Sequence, residues 1–253
     1  MISLSHVSKS FHGKRVIDDF SLEVPQRSIL SLFGPNGCGK TTVLRMLAGL
    51  EKPDQGIVVR NERSAPSVAM VFQNFKDSFL PWMSVRRNIL LPLVLRGVAW
   101  KAAERSLAAL LELLPIQFNL ERYIFELSGG QQQYAALLRA ALLSPSLLLL
   151  DEPTSALDHY HRQELLGYLV ELRQRLGCSI VCIVHDLEDA LCSCDRIVLM
   201  NGAGSASTIA REDFSSFGSY RENAYRYSGL ALPSALQPPL QLPGGFRRSL
   251  SQD

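Results

Sequence analysis

One segment constrains the fold of this chain more than any other: residues 34–41 read GPNGCGKT and fit the pattern GxxxxGK[ST]. The apolar run just before it, residues 28–33, predicts a short strand, and residues 41–48 have helical spacing with Gly49 placed to end the helix. A strand, a glycine-rich turn and a helix in this order are the context that the pattern requires. The segment therefore predicts a phosphate-binding loop in an α/β fold.

The residue types in this loop suit a phosphate ligand. Glycines let successive backbone N–H groups converge on phosphate oxygens at the positive end of a helix. Lys40 supplies a positive charge for the β- and γ-phosphates, and the Thr41 hydroxyl can bind Mg²⁺. The alternative is a glycine-rich turn with a surface lysine. The candidate ligand-binding residues are Gly34, Pro35, Asn36, Gly37, Cys38, Gly39, Lys40, Thr41 and Thr42.

Two carboxylates follow a second apolar run, residues 147–150, which reads LLLL. Asp151 and Glu152 lie at the carboxyl end of this predicted buried strand, where ligands of open α/β sheets bind. Asp151 is placed to hold Mg²⁺, and Glu152 to orient or deprotonate a water that attacks a γ-phosphate. The alternative for Asp151 is a cap for the next helix.

A third segment, LSGGQ at residues 127–131, precedes a helical run that extends to residue 143. Ser128 stands at the N-cap position, and two glycines leave the first helical N–H groups uncovered. Such a helix start attracts an anion, although the same pattern is also typical of an ordinary capped helix.

The hydrophobic pattern divides the chain into regions. Alternation in the first thirty residues predicts an antiparallel β-layer, whereas the unalternated runs 147–150 and 180–184 predict a parallel sheet covered on both faces. Leucine and alanine dominate residues 74–140, which predicts a helical insertion. We expect an α/β core at residues 1–73 and 141–227, a helical subdomain at 74–140 and a flexible, proline-rich tail at 228–253.

Charge and composition exclude several classes of protein. Among 253 residues, 26 are basic and 24 acidic, so the net charge is only +2. This charge does not indicate a large basic surface that would bind nucleic acid. No run approaches the roughly 20 apolar residues of a membrane-spanning helix, and the N-terminus has no secretory signal pattern. Five cysteines, an odd number, favour reduced thiols over disulfides. We therefore expect a cytoplasmic protein.

The motifs occur in a characteristic order: the phosphate loop, LSGGQ at 127–131, LLLLDEP at 147–153, SALD at 155–158 and IVHD at 183–186. From about residue 2 to 210 this sequence resembles the ATP-binding-cassette (ABC) ATPases. The resemblance implies a P-loop NTPase core that hydrolyses ATP with Mg²⁺. It also implies a head-to-tail dimer in which ATP on the loop of one copy is closed by the other copy's LSGGQ residues, Ser128, Gly129, Gly130 and Gln131.

The resemblance assigns roles to four further residues. Gln73 touches Mg²⁺ and water, His185 contacts the γ-phosphate, Phe11 stacks on adenine and Asp158 communicates across the dimer. Their alternatives are a strand-end glutamine, a loop histidine, a core phenylalanine and a helix cap. The implied catalytic residues are thus Glu152, His185 and Gln73, and the implied Mg²⁺ ligands are Thr41, Gln73 and Asp151.

One position departs from the family pattern. After LSGGQ the family usually has two residues and then an arginine, but this chain has Tyr134. The positive charge missing near the dimer face makes the rate of hydrolysis, or the tightness with which the dimer closes, less certain than the type of enzyme.

A narrower resemblance concerns the type of cassette. VFQ at 71–73, LPW at 80–82 and NI at 88–89 are similar to the importer subfamily for nitrate, sulfonate and taurine. It implies a subunit on the cytoplasmic face of the inner membrane that contacts permease subunits through a cleft near Gln73 and Trp82, and that serves an extracytoplasmic substrate-binding protein. The alternatives are an ABC ATPase of DNA maintenance or translation, and a nucleotide-binding regulator without turnover.

Overall fold

Two sheets and a set of helices make up the part of the chain that the computed structural model describes, residues 2–60, 67–155, 157–201 and 206–210. Its strands are β1 (Ile2–Phe11), β2 (Lys14–Val24), β3 (Ile29–Phe33), β4 (Gln55–Arg60), β5 (Val68–Val71), β6 (Leu147–Leu150), β7 (Ser179–Ile183), β8 (Arg196–Met200) and β9 (Ala206–Ala210). Its α-helices are α1 (Lys40–Ala48), α2 (Val85–Leu95), α3 (Trp100–Leu113), α4 (Gly129–Ala141), α5 (His159–Leu176) and α6 (Leu187–Ser193). Two short 3-10 helices are Phe75–Ser78 and Ile124–Glu126.

The first sheet is the predicted antiparallel β-layer, with strand order β2-β1-β4. β1 and β2 pair from Ile2 with Val24 to Phe11 with Lys14. The turn between them places Gly13 at a φ of 78°, a conformation that glycine adopts without steric cost. Buried and more exposed residues alternate from Ile2 to Leu4 and from Phe20 to Val24, as in a sheet with one exposed face. Register shifts between Leu4 and Ser10 interrupt the alternation in β1.

The second sheet has strand order β5-β6-β7-β3-β8-β9. The first five strands are parallel, and β9 runs antiparallel to β8. β3, β6 and β7 are buried at every residue, which explains why their sequences do not alternate. Because parallel strands end at one edge, the segments after β3, β5, β6 and β7 meet there.

Two apolar clusters cover the faces of this sheet. On one face α1 and the antiparallel layer pack through residues such as Leu44, Leu47 and Phe20. On the other face α2 to α5 pack through residues such as Ile89 and Leu169. Burying a side chain of this size contributes roughly 1.5–3 kcal/mol. The helices thus cover the sheet without covering the edge at which the strands end.

Most predicted elements form within one residue of their expected bounds. The strand expected at 180–184 is Ser179–Ile183, and α1 begins at Lys40 and ends at Gly49, which has a φ of 76°. Pro92 lies inside α2. The helices α2 to α4 fall in or next to residues 74–140, and the subdomain bounds stay a prediction. The tail expected at 228–253 lies outside the described residues.

Within the described ranges, no helix combines the length and the apolar character needed to cross a membrane.

Candidate active site

The glycine-rich loop between β3 and α1 encloses the side chain of Lys40. Its Nζ atom donates to the carbonyl oxygens of Gly34, at 2.7 Å, and Pro35, at 3.0 Å, and only 6% of the residue is exposed. Gly39 has a φ of 101°, and a Cβ atom at Gly34 would clash with the carbonyl oxygen of Met200. Lys40 is therefore not a surface lysine. One of its three N–H donors remains for a ligand.

Thr41, the second residue of α1, contacts the first carboxylate after β6. Its Oγ1 atom donates to Oδ1 of Asp151 at 3.2 Å, and Asp151 is buried. Burial raises the pKa of the Asp151 carboxyl and the charge of Glu152 raises it further, whereas the Thr41 hydrogen bond and the charges of Arg45 and Lys40 lower it. A cation beside Asp151 would offset the cost of its buried negative charge.

These oxygens suit Mg²⁺. Hydroxyl and carboxylate oxygens are ligands that Mg²⁺ accepts, and it binds through one or two such groups plus substrate phosphates. No cluster of three or more His, Cys, Asp or Glu side chains that would form a metal cage occurs in the described part of the chain. Thr41 and Asp151 thus fit a metal that shares its ligands with a phosphate.

Glu152 is held by two side chains from neighbouring strand ends. Gln73, two residues after β5, donates from Nε2 to Oε2 at 2.8 Å. The Nε2 atom of His185, two residues after β7, lies 2.6 Å from Oε1. Glu152 has a φ of 54°, unusual for a residue with a side chain, and its carbonyl oxygen accepts from both N and Oγ of Ser155. The three predicted catalytic residues therefore lie in direct contact, through a hydrogen bond from Gln73 and a close polar contact with His185.

Ser128 and Gln131 cap α4 reciprocally. Ser128 Oγ accepts from the backbone N of Gln131 at 3.3 Å, and the Gln131 side chain accepts from the backbone N of Ser128 at 3.1 Å. A Cβ atom on Gly130 would lie 3.0 Å from Leu157, whereas one on Gly129 would meet nothing within 4 Å. Among the described residues, no hydrogen bond joins 128–131 to the loop at 34–41, so one chain does not bring these two motifs together.

Asp158 is the N-cap of α5, as its alternative interpretation stated. Its carboxylate accepts from the backbone N of His161 at 3.0 Å and lies 2.8 Å from Nδ1 of the same residue. The backbone hydrogen bond from His161, supported by its side chain, lowers the pKa of Asp158. This capping contact does not bear on whether Asp158 also acts across a dimer, so that role stays a prediction.

Phe11 ends β1 with 38% of its surface exposed, and Nζ of Lys9 lies 5.4 Å from its ring centre. It is therefore not a core residue. An exposed ring at this position leaves a face open for stacking on a base.

Trp82 is also exposed, at 69%, in the turn before α2. The buried Asn88 side chain fixes this turn, because it donates to the carbonyl oxygens of Leu80, Met83 and Ser84 and accepts from the backbone N of Leu80. The motif residue Asn88 thus has a structural role that sequence reasoning did not assign.

Sequence reasoning noted Tyr134 in place of the family arginine but did not predict what this side chain contacts. Tyr134 is buried, and its hydroxyl lies 2.8 Å from Oε2 of Glu164 and 2.9 Å from the carbonyl oxygen of His161. Burial and the neighbouring Glu164 raise the pKa of Tyr134 far above its usual value. The tyrosine therefore links α4 to the first turn of α5 as a neutral donor.

The phosphate-loop geometry, the buried Asp151 beneath it and the parallel strand order together define a P-loop nucleotide-binding domain. The family described as ABC transporter matches residues 17–155, more than half of the sequence, and the chain belongs to this family.

Curated relatives with similar sequences are importer subunits. The chain is 39% identical over 207 residues to the spermidine/putrescine import ATP-binding protein PotA of Aliivibrio fischeri, covering 79% of this chain and 55% of that protein. It is 38% identical to the Fe(3+) ions import ATP-binding protein FbpC 1 of Pectobacterium atrosepticum, covering 89% and 64%. The chain therefore spans less than two thirds of the length of these relatives. Their names include no nitrate, sulfonate or taurine importer, and that assignment stays a prediction.

Solved structures confirm the predicted fold class. The dimeric bacterial ABC transporter cassette MJ0796 aligns with a TM-score of 0.73 at 24% identity, covering 83% of this chain and 99% of that one. CbiO1 of Clostridium perfringens, part of the cbiONQ transporter complex, aligns with a TM-score of 0.77 at 20% identity, covering 89% and 94%.

Proposed function

We propose that this chain is the ATP-hydrolysing, nucleotide-binding subunit of a bacterial ABC importer, which energises uptake of a small nutrient through separate permease subunits. The main support is the arrangement around Glu152. Its carboxylate is held by Gln73 and His185 at the same sheet edge as the phosphate loop and the Thr41–Asp151 pair.

The phosphate loop would bind the β- and γ-phosphates of ATP. Backbone N–H groups of residues 34–41 at the start of α1 and the ammonium of Lys40 provide donors and positive charge. Phe11 would stack on the adenine, since its ring is exposed at the end of β1.

Mg²⁺, when bound with ATP, would neutralise charge on the phosphates. Thr41, Asp151 and Gln73 are the residues that would hold it, and the first two are already in contact.

Glu152 would orient the attacking water and accept its proton. A general base needs a fixed position, and the hydrogen bond from Gln73, supported by the close contact with His185, would provide one. With ATP present, His185 Nε2 would turn from Glu152 toward the γ-phosphate, and the Gln73 hydrogen bond would remain to hold the carboxylate.

A second copy of the chain would complete each site. Ser128 caps α4, and the N–H groups of Gly129 and Gly130 at its start are covered by no side chain of their own. This positive helix end suits a γ-phosphate from the facing copy. Leu157 lies close to the start of this helix, 3.0 Å from where a Cβ atom on Gly130 would be, so the next residue, Asp158, would lie near the same interface.

The permease would dock at the cleft near Gln73 and Trp82. An exposed tryptophan on a turn that a buried asparagine fixes is a preformed contact point. This location would place the chain on the cytoplasmic face of the membrane, where it serves an extracytoplasmic binding protein indirectly. The LPW motif favours the nitrate, sulfonate and taurine class of substrate, and the near-neutral charge argues against a nucleic-acid partner.

Purification of the chain from detergent-solubilised native membranes, followed by mass spectrometry, tests this proposal. We expect a multi-spanning permease in stoichiometric amount together with Mg²⁺-dependent ATP hydrolysis. Recovery only from the soluble fraction, with ribosomal or nucleic-acid partners, would favour the alternative of a non-transport ATPase.

A further inference from the structure

A cavity outside the nucleotide site lies between α4, α5 and the segment that follows α3. Its volume is about 140 Å³, and its lining includes Pro115, Phe118, Gln131, Tyr134, Tyr160 and Glu164. A cavity of roughly 150 Å³ accommodates a molecule of the size of benzene. The space therefore admits a group of about six heavy atoms.

Two tyrosine hydroxyls contact the carboxylate of Glu164 next to this cavity. The Tyr134 hydroxyl lies within hydrogen-bond distance of Glu164 Oε2 and of the His161 carbonyl. The Tyr168 hydroxyl contacts Glu164 Oε1, at 3.0 Å, and the Pro115 carbonyl, at 2.9 Å. Two O–H protons thus serve four acceptor oxygens, and each oxygen of the carboxylate can accept a further bond. A ligand with N–H donors could use this remaining capacity of the carboxylate.

In the part of the chain that the structure describes, the carboxylate of Glu164 has no cationic partner. Among the described residues, no Lys or Arg nitrogen lies within 4 Å of its carboxylate, although the other acidic residue on the exposed part of α5, Glu171, pairs with Arg175. The remaining titratable lining residue besides the tyrosines, His161, directs Nδ1 to Asp158. A half-buried carboxylate without a cation attracts one from outside.

Aromatic rings complete the lining. Tyr134, Tyr160 and Phe118 border the cavity next to Glu164, and Tyr160 is 70% exposed at its mouth. Aromatic faces attract organic cations through their quadrupoles, and more strongly when water is excluded. Rings and a carboxylate around one small space are the chemistry that recognises ammonium and guanidinium groups.

We propose that this cavity is a binding site for a small organic cation, whose ammonium or guanidinium group pairs with Glu164 and packs against Tyr134 and Tyr160. The ligand would touch Gln131 and Tyr134 on α4 and Tyr160 at the start of α5. It would therefore bridge the helix that begins with the LSGGQ segment and the helix that Asp158 caps.

Titration of the full chain with ethylguanidinium, a cation of suitable size, tests the proposal. The chain has seven tyrosines, and NMR of ¹³C-tyrosine-labelled protein reports on each ring after assignment by Tyr→Phe variants. We expect saturable shifts of the Tyr134 and Tyr160 signals and no change at Tyr123, which stacks on Phe125 elsewhere. Ethylurea, its neutral counterpart of the same shape, keeps N–H donors but lacks the charge, and it should bind at least tenfold more weakly.

Variants decide whether the carboxylate is responsible. Glu164→Gln should weaken ethylguanidinium binding at least tenfold, whereas Glu171→Gln on the same helix should leave it unchanged. If Glu164→Gln does not fold, Tyr160→Ala provides the second test, because it removes an exposed ring and should weaken binding several-fold. Equal responses to ethylurea, shifts that do not saturate, or unchanged affinity in Glu164→Gln or Tyr160→Ala would overturn the proposal.

Discussion

The Nε2 atom of His185 lies 2.6 Å from Oε1 of Glu152, although the two residues are 33 positions apart in the sequence. On the opposite side Gln73 donates to Oε2 of the same carboxylate at 2.8 Å. A carboxylate fixed from both sides at the end of β6 has one orientation, which is what a general base requires.

Replacement of Glu152 by Gln should abolish ATP hydrolysis while ATP binding remains. The amide has nearly the same shape but does not accept a proton, and loss of a general base lowers the rate by about 10²–10⁴. Steady-state phosphate release and equilibrium ATP binding measure the two effects. Glu171→Gln, in an exposed pair with Arg175, is the matched control. Substantial turnover in Glu152→Gln would remove the base assignment.

Lys40→Ala should reduce ATP affinity by about ten-fold or more, since a charge-assisted hydrogen bond is worth about 1.5–3 kcal/mol. The substitution also removes the contacts of Nζ with the carbonyl oxygens of Gly34 and Pro35, so the free loop loses its support. Isothermal titration calorimetry gives the affinity. Lys101→Ala, at an exposed position of α3, should leave it unchanged. Equal affinities in the two variants would contradict the phosphate-loop role.

Asp151→Asn should stabilise the nucleotide-free chain at neutral pH and impair Mg²⁺-dependent ATP hydrolysis. Because burial raises the pKa of Asp151 in the folded state, its protonated form is favoured there, and stability is lost as pH rises through that pKa. Asparagine removes this loss and still offers an oxygen to Thr41.

Thermal unfolding as a function of pH measures this effect, at about 2–4 °C for each kcal/mol. The difference between Asp151→Asn and the unchanged chain should shrink as pH falls toward the ordinary range of a carboxyl. A lower melting temperature for Asp151→Asn at neutral pH would show that the negative charge is favourable in the free chain.

Asn88→Ala should lower the free energy of unfolding, whereas Trp82→Ala should impair only the coupling of ATP hydrolysis to the permease. Loss of the buried Asn88 amide leaves the backbone groups of the turn without partners, which costs about 1–3 kcal/mol for each buried group left unsatisfied. Trp82 is 69% exposed, so its removal should change the unfolding free energy little.

Denaturant unfolding of both variants, and ATP hydrolysis with and without the permease, measure these effects. We expect Trp82→Ala to keep its basal hydrolysis and to lose stimulation by the permease. Normal coupling in Trp82→Ala would contradict the docking cleft and the subfamily interpretation together.

Local patterns in the sequence were sufficient to predict the fold class and the phosphate loop. The pattern at 34–41 depends on neighbouring residues, because the strand, the turn and the start of α1 are adjacent in the chain. Likewise, the alternation of β1 and β2 and the lack of alternation in β6 and β7 report burial on one face or on two. A single sequence therefore predicted which elements form and which strand ends bear the candidate ligand-binding residues.

Only the tertiary structure decided which side chains meet. Gln73, Glu152 and His185 follow β5, β6 and β7, and they touch because these strands are neighbours in the sheet order. Tyr134 and Glu164 meet because α4 packs against α5. Strand order and helix packing result from long-range burial, which residue spacing does not encode. The contacts of Gln73 and His185 with Glu152, and the cavity beside Glu164, could therefore not be predicted from the sequence.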